Sequence, residues 1–249
     1  MMENRTDKNS YTILFAIGMV LVVGALLAYA SEALKPKITE NKRLEIQQNI
    51  LYAMGVNDNE DGSVNFIPTN EVASVFSKYI KKQLVIEGDK VIEDDNAYLI
   101  DLKKEEAKAA DPNYTRRLPL FVGEKDGQTF YIIPMRGKGL WDAIWGYMAV
   151  DKNLIVDGVY FDHKGETPGL GANINQRFFM DDFKGEEIMN GNSFVGIDVT
   201  KGNNDPKNDD KDDHEIDALA GATITSNGVT AMIKKGVGMY IPYLKTLKN

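Results

Sequence analysis

The first strong pattern along the chain is an unbroken apolar run. From Tyr11 to Ala30 the sequence reads YTILFAIGMVLVVGALLAYA, with no charged residue. As a helix this is roughly 30 Å long, enough to cross the hydrocarbon core of a bilayer. A retained anchor over 11–31 competes with a cleaved leader, because Ala28-Tyr29-Ala30 has the small-x-small form of a cleavage site. The run exceeds the usual apolar core of a leader, which favours the anchor. A short break is expected at Lys35-Pro36-Lys37. Residues 38–54 then repeat apolar positions at three and four (Leu44, Ile50 or Leu51, Met54) up to Gly55. That spacing predicts an amphipathic helix with a glycine cap, a juxtamembrane segment within 32–56.

Beyond residue 57 the period changes. A helix is predicted from about Asn70 to Lys82, with Val72, Val75, Phe76 and Ile80 on one face. Alternating or continuous apolar runs then predict strands. These are a hairpin in QLVIEGDKVIE turning at Gly88-Asp89, and runs at 97–102, 118–122, 128–134, 145–151, 154–162 and 193–199. Near the C-terminus Val229, Met232, Ile233, Val237, Tyr240, Ile241 and Leu244 recur at three and four, predicting a helix with Thr225 or Ser226 as N-cap. Short turns between strands imply antiparallel pairing. The expected fold class is α+β, an N-terminal transmembrane helix followed by a mainly antiparallel sheet flanked by helices. The expected organisation is a tail at 1–10, a span at 11–31, the juxtamembrane helix at 32–56 and one domain at 57–249.

Composition narrows the chemistry. The net charge is −8 with no basic run, which argues against a nucleic-acid partner. There are no cysteines, so disulfides, thiolate metal sites and a lipidated N-terminus are excluded. The two histidines, His163 and His214, are far apart, which disfavours a histidine metal site or a Ser-His-Asp triad. NDNEDG at 57–62 starts like a calcium loop, but Pro68 stands where the bidentate glutamate belongs, so a solvated turn is expected. The acidic stretch 202–215 is likewise read as solvated surface rather than a metal site. No metal and no catalytic residue is assigned, and redox chemistry would need an organic cofactor.

Three stretches exceed what a scaffold requires. GKGLWDAIWGYMAV (137–150) holds both tryptophans, with Trp145 read as core and Trp141 as a wall for a flat ring. HKGETPGLGANI (163–174) is a glycine-rich turn presenting Glu166 and Thr167 beside backbone that a ligand can approach closely. IDALAGATITSNGV (216–229) puts Thr223 just ahead of the unpaired N–H groups of the terminal helix, where a phosphate is favoured, with Gly221 and Ala222 leaving room. Each has a plain alternative: core packing by large aromatics for the first, a structural loop for the second and an ordinary capped turn for the third.

In this order the three stretches, behind an N-terminal span, resemble the C subunits of the sodium-translocating NADH:quinone oxidoreductases over nearly the whole chain. GAT-x-TS and ETPGLG are shared with the G subunits of Rnf electron-transport complexes, while GKGLWDAIWGY points to the former family. The resemblance implies FMN esterified through its phosphate to Thr223, with Thr225 as the rival hydroxyl and a separate flavin transferase forming the bond. It implies Leu140 and Trp141 on one side of the isoalloxazine ring, and Glu166, Thr167, Leu170 and Gly171 on another. It further implies an electron carrier in a bacterial inner-membrane complex that passes electrons from NADH to quinone and moves sodium. The domain would then be extracytoplasmic and the N-terminus cytoplasmic, with other subunits and the lipid bilayer as partners. Ala220 departs from the family pattern, which has Ser or Thr before the glycine. Arg5 and Lys8 before the span, against Lys35, Lys37, Lys42 and Arg43 after it, favour the opposite orientation by charge alone, a rule that weakens for long domains. A flavin carrier of the Rnf type, a membrane-anchored sensor domain without redox role, and a secreted acidic protein are the alternatives.

Overall fold

The structure, a computed structural model, describes residues 9–60, 62–202, 205 and 207–247. Arg5 and Lys8, Asp61 of the NDNEDG turn and Asn203, Asn204 and Pro206 of the acidic stretch lie outside the described residues. The chain divides after Arg43 into two compact units.

Helix α1 runs from Asn9 to Ala53 without interruption. The break expected at Lys35–Lys37 does not occur: Pro36 lies inside the helix. Proline removes the backbone donor that would reach the Glu32 carbonyl, yet the helix continues through it, and the Thr39 hydroxyl donates to the Lys35 carbonyl at 2.9 Å. The apolar run is exposed on all sides, with Leu14 and Val20 each 70% exposed, as a helix solvated by lipid would be. In the second unit, residues 47 and 49–53 are buried.

After α1 come α2 (Val72–Tyr79), β1 (Ile80–Glu87), β2 (Lys90–Glu93), α3 (Leu102–Lys108), β3 (Arg117–Lys125), β4 (Gln128–Lys138), β5 (Ala143–Asp151) and β6 (Val156–His163). Then follow α4 (Arg177–Met180), β7 (Met189–Asn190), β8 (Ser193–Phe194), β9 (Asp198–Thr200), β10 (Glu215–Asp217), α5 (Thr223–Gly238) and α6 (Ile241–Leu247). Strands β1 to β6 form one antiparallel sheet in the order β2-β1-β3-β4-β5-β6. The hairpin turn at Gly88-Asp89 is where the sequence predicts it.

Alternation along the strands gives the sheet two covered faces. Tyr160 points to one, where its ring packs against Tyr52 and Phe66 and where Met54 fills the space beside Gly123. Phe161 points to the other, into a cluster with Phe179 and Phe183. On that same face α5 lies across β4. Gly137 faces Met232, Gly236 faces Met135, and Gly228 meets the Lys138 backbone. Glycine on one side of each contact lets helix and sheet approach at backbone distance, which fixes where the start of α5 sits.

Several expectations are corrected. AYLIDL (97–102) is not a strand: a 3₁₀ turn spans Ala97–Leu99, and Asp101 then caps α3 by accepting from the amides of Lys103 and Lys104. The helix predicted over 70–82 stops at Tyr79, because Ile80–Lys82 already pair with β3. The strand predicted over 193–199 is split into β8 and β9 by Gly196 at φ +74°. The terminal helix is two helices. Pro242 has no amide to give and its ring conflicts with a carbonyl one turn earlier, so α5 ends at Gly238. Finally, β9 and β10 pair in parallel and lead the chain into α5.

Candidate flavin site

The turn between β10 and α5 is built from its own backbone. Ala222 N donates to Leu219 O at 3.1 Å, Ser226 N to Ala222 O at 2.9 Å, and Leu219 N to the Ser226 hydroxyl at 3.3 Å. Gly221 carries the reversal at φ +72°, a conformation side chains disfavour. The expected N-cap is therefore displaced: Ala222 precedes the helix, Thr223 is its first residue, and neither Thr225 nor Ser226 caps it. Those two side chains turn inward instead, Thr225 1% and Ser226 0% exposed. Thr223 is exposed. Among the described residues, the amides of Thr223, Ile224 and Thr225 find no acceptor, so three N–H groups and the positive end of the helix dipole converge there.

Glu166 lies beneath this turn. It is 4% exposed, and both carboxylate oxygens are used within the protein. Oε2 accepts from the Thr225 hydroxyl at 2.6 Å, and Oε1 from Trp141 N at 2.9 Å and Asp142 N at 3.5 Å. Its own amide donates to His163 Nδ1 at 3.2 Å. Burial pushes the carboxyl pKa up, but the hydrogen bonds from Thr225 and the amides of Trp141, Asp142 and Leu140 outweigh it and hold the group below the ordinary glutamate range. Glu166 is thus a buried anion at neutral pH.

Around it the remaining residues named from sequence converge. Trp141 donates from Nε1 to the Thr167 hydroxyl at 3.2 Å, and Leu170 approaches Gly221. Leu140, Trp141, Leu170 and Ile224 are 45%, 67%, 41% and 58% exposed, apolar side chains left open to the surface, with Ile224 next to Thr223 in the chain. Trp145 is only half-buried, on the sheet face away from Phe161, rather than in the core cluster. A β-carbon on Gly171, a residue named from the sequence, would lie 2.5 Å from the Thr225 hydroxyl and 2.6 Å from Glu166 Oε2. Two features were not singled out in the sequence. A β-carbon on Gly139 would lie 2.6 Å from Glu166 Oε1. The Ser226 hydroxyl, which holds Leu219, is the second. No local signal reveals either, since each depends on a partner brought in by the fold.

A flavin mononucleotide fits these residues. Unpaired helix amides beside an exposed hydroxyl suit a phosphate, and exposed tryptophan and leucine side chains suit a flat apolar ring. Residues 139–238, which contain the whole cluster, match the FMN-binding domain family. The Na(+)-translocating NADH-quinone reductase C subunit of Neisseria meningitidis serogroup A is 31% identical over 261 residues, covering 100% of this chain and 98% of its own. The protein of that name from Pseudomonas aeruginosa is 29% identical, covering 93% of this chain and 92% of its own. In the solved C subunit from Parabacteroides distasonis, 30% identical, the likeness covers 85% of this chain and 96% of that one with a TM-score of 0.71. For NqrC of Shewanella oneidensis the values are 28%, 83% and 99%, with a TM-score of 0.65. The chain belongs to the NqrC family, the C subunits of Na(+)-translocating NADH-quinone reductases, and is a flavoprotein component of a membrane oxidoreductase complex with FMN as its cofactor.

Proposed function

We propose that this chain carries FMN as a phosphoester on Thr223 and relays electrons between other subunits of the complex. The observation that carries the reading is the contrast between the two threonines. Thr223 presents an exposed hydroxyl at the first position of α5, with no hydrogen-bond partner among the described residues. Thr225, two residues on, is buried and already donates to Glu166. The amides of Thr223, Ile224 and Thr225 would stabilise the charge an ester phosphate retains. Leu140, Trp141 and Leu170 would shield one region of the ring from water. Thr167 is held by Trp141 and fixes that wall from below. Bound FMN supplies the electron-transfer chemistry, and the protein's part is to hold and orient it.

The wider setting belongs to the same proposal. The apolar part of α1, at 11–31, would anchor the chain in the bacterial cytoplasmic membrane, with residues 1–10 inside, 32–56 beside the membrane and 57–249 outside. A flavin transferase would form the ester, and the complex would couple NADH oxidation by quinone to sodium export. One apolar helix without an internal charge offers no ion path, so sodium would cross through other subunits.

Intact mass of the full chain, co-produced with a flavin transferase, tests the attachment. The expected result is an added FMN less one water, mapped to the peptide containing Thr223 and lost in Thr223→Val. An adduct on Thr225 would overturn the residue assignment, and an unmodified colourless chain would overturn the carrier reading.

A further inference from the structure

The Glu166 carboxylate joins three pieces of chain that are distant in sequence. Oε1 holds the loop of Leu140, Trp141 and Asp142, Oε2 holds Thr225 on the first turn of α5, and its own backbone belongs to the 163–171 turn. The space around it is cut to fit, since Gly139 and Gly171 supply no β-carbon where its two oxygens lie. Trp141, whose amide is on one oxygen, belongs to the apolar wall. Thr225, on the other, is two residues from the Thr223 hydroxyl. A rigid anion between the two couples the position of wall and anchor, because a buried carboxylate that loses either donor is left short of a strong hydrogen bond.

We propose that Glu166 is the positioning residue of the flavin site, its single carboxylate setting the register between the Leu140–Trp141 wall and the Thr223 end of α5. It acts through Trp141 and Thr225 and is itself almost fully buried. This deepens the carrier reading and rests on it for the identity of what is positioned.

The test is amide hydrogen exchange of the full chain in detergent, followed in the peptides around 139–143 and 223–227. Thr225→Val removes the donor to Oε2 while leaving Trp141 untouched. It is expected to speed exchange at the Trp141 amide, 84 residues away, by about tenfold, the scale of one charge-assisted hydrogen bond. Thr225→Ser, which keeps the hydroxyl, restores the wild-type rate. In a Glu166→Gln background the Thr225→Val effect on Trp141 disappears, because the link is already weakened. With FMN attached, Thr225→Val increases quenching of flavin fluorescence by iodide and Thr225→Ser does not. Exchange at 139–143 indifferent to Thr225→Val would overturn the proposal, as would a Thr225→Val effect that persists undiminished in Glu166→Gln. If Glu166→Gln fails to fold, the Val and Ser variants of Thr225 decide the matter alone. Wild type that never carries FMN would instead sink the carrier reading whatever the exchange rates are, whereas loaded wild type with uncoupled exchange sinks only the positioning role.

Discussion

Gly228 of α5 sits directly against the carbonyl of Lys138 at the end of β4, with no room between them for a side-chain carbon. Backbone meets backbone here, so neither partner can rotate away. Gly228→Ala gains up to about 1 kcal/mol of helix propensity. Overpacking against a backbone atom costs about 1–3 kcal/mol and should prevail. The expected outcome is a lower melting temperature together with displacement of Thr223 from its site, seen as reduced shielding of attached flavin.

A second prediction concerns acid. Glu105 is buried, with Tyr114 Oη donating to Oε2 at 2.6 Å and Arg117 reaching both oxygens, from N at 3.1 Å and Nη2 at 2.9 Å. Burial raises its pKa, but Arg117 and Tyr114 together bring it from 4.5 down to about 2. The unfolded chain therefore binds this proton first as pH falls. The stabilisation, on the order of 3 kcal/mol, is full above pH 4.5 and lost as pH falls towards 2. Denaturant midpoints between pH 6 and 2 should drop more in wild type than in Glu105→Gln.

Glu186 behaves in the opposite sense. It is 0% exposed, and only Oε1 is paired, with Asn208 Nδ2 at 2.9 Å and Lys211 Nζ at 3.3 Å. Burial outweighs both partners and lifts the pKa from 4.5 to about 7. Between those values the folded chain keeps a proton that the unfolded chain has released, so stability falls as pH rises from about 4.5 to about 7. Glu186→Gln should remove that slope. Melting temperatures of the two chains at pH 5 and 7.5 check it, and a parallel fall in both would contradict it.

Lys125 closes the end of α1. Its ammonium donates to the Met54 carbonyl at 2.6 Å and pairs with Asp157 at 2.9 Å, both side chains being largely buried. Lys125→Met leaves a helix-end carbonyl and a carboxylate without their donor, a loss of about 1–3 kcal/mol. Asp157→Asn together with Lys125→Met should recover part of it, since the stranded charge is then gone, and chemical unfolding of the three variants measures this.

What could be read from the sequence was whatever a short window contains. The alternation in QTFYIIP and WGYMAVD gave β4 and β5 their place, and Gly88-Asp89 gave the hairpin. AYLIDL misled because its apolar run has strand composition, while the deciding residue was Asp101, a cap followed by the helix formers LKKEEAK. Thr225 and Ser226 have the chemistry of caps, but the fold gave each a buried partner elsewhere, Glu166 for one and the Leu219 amide for the other. The residues around the flavin site were legible as a set only through the resemblance that three motifs in this order carry, since each motif alone reads equally as packing, a loop or a capped turn. The link among them was not, because 59 residues separate Glu166 from Thr225 and nothing local records the contact.

The glycines at 139 and 171 have a meaning that neither has alone. Together they are a cast of the carboxylate between them, two absences whose shape records a third residue. A related chain that kept both glycines but replaced the glutamate would hold an empty mould, with a water molecule as its natural filling. One that kept the glutamate but put alanine at either position would evict it. Substitutions at these three positions should therefore travel together, so that the fate of a buried anion can be followed from two residues that carry no charge at all.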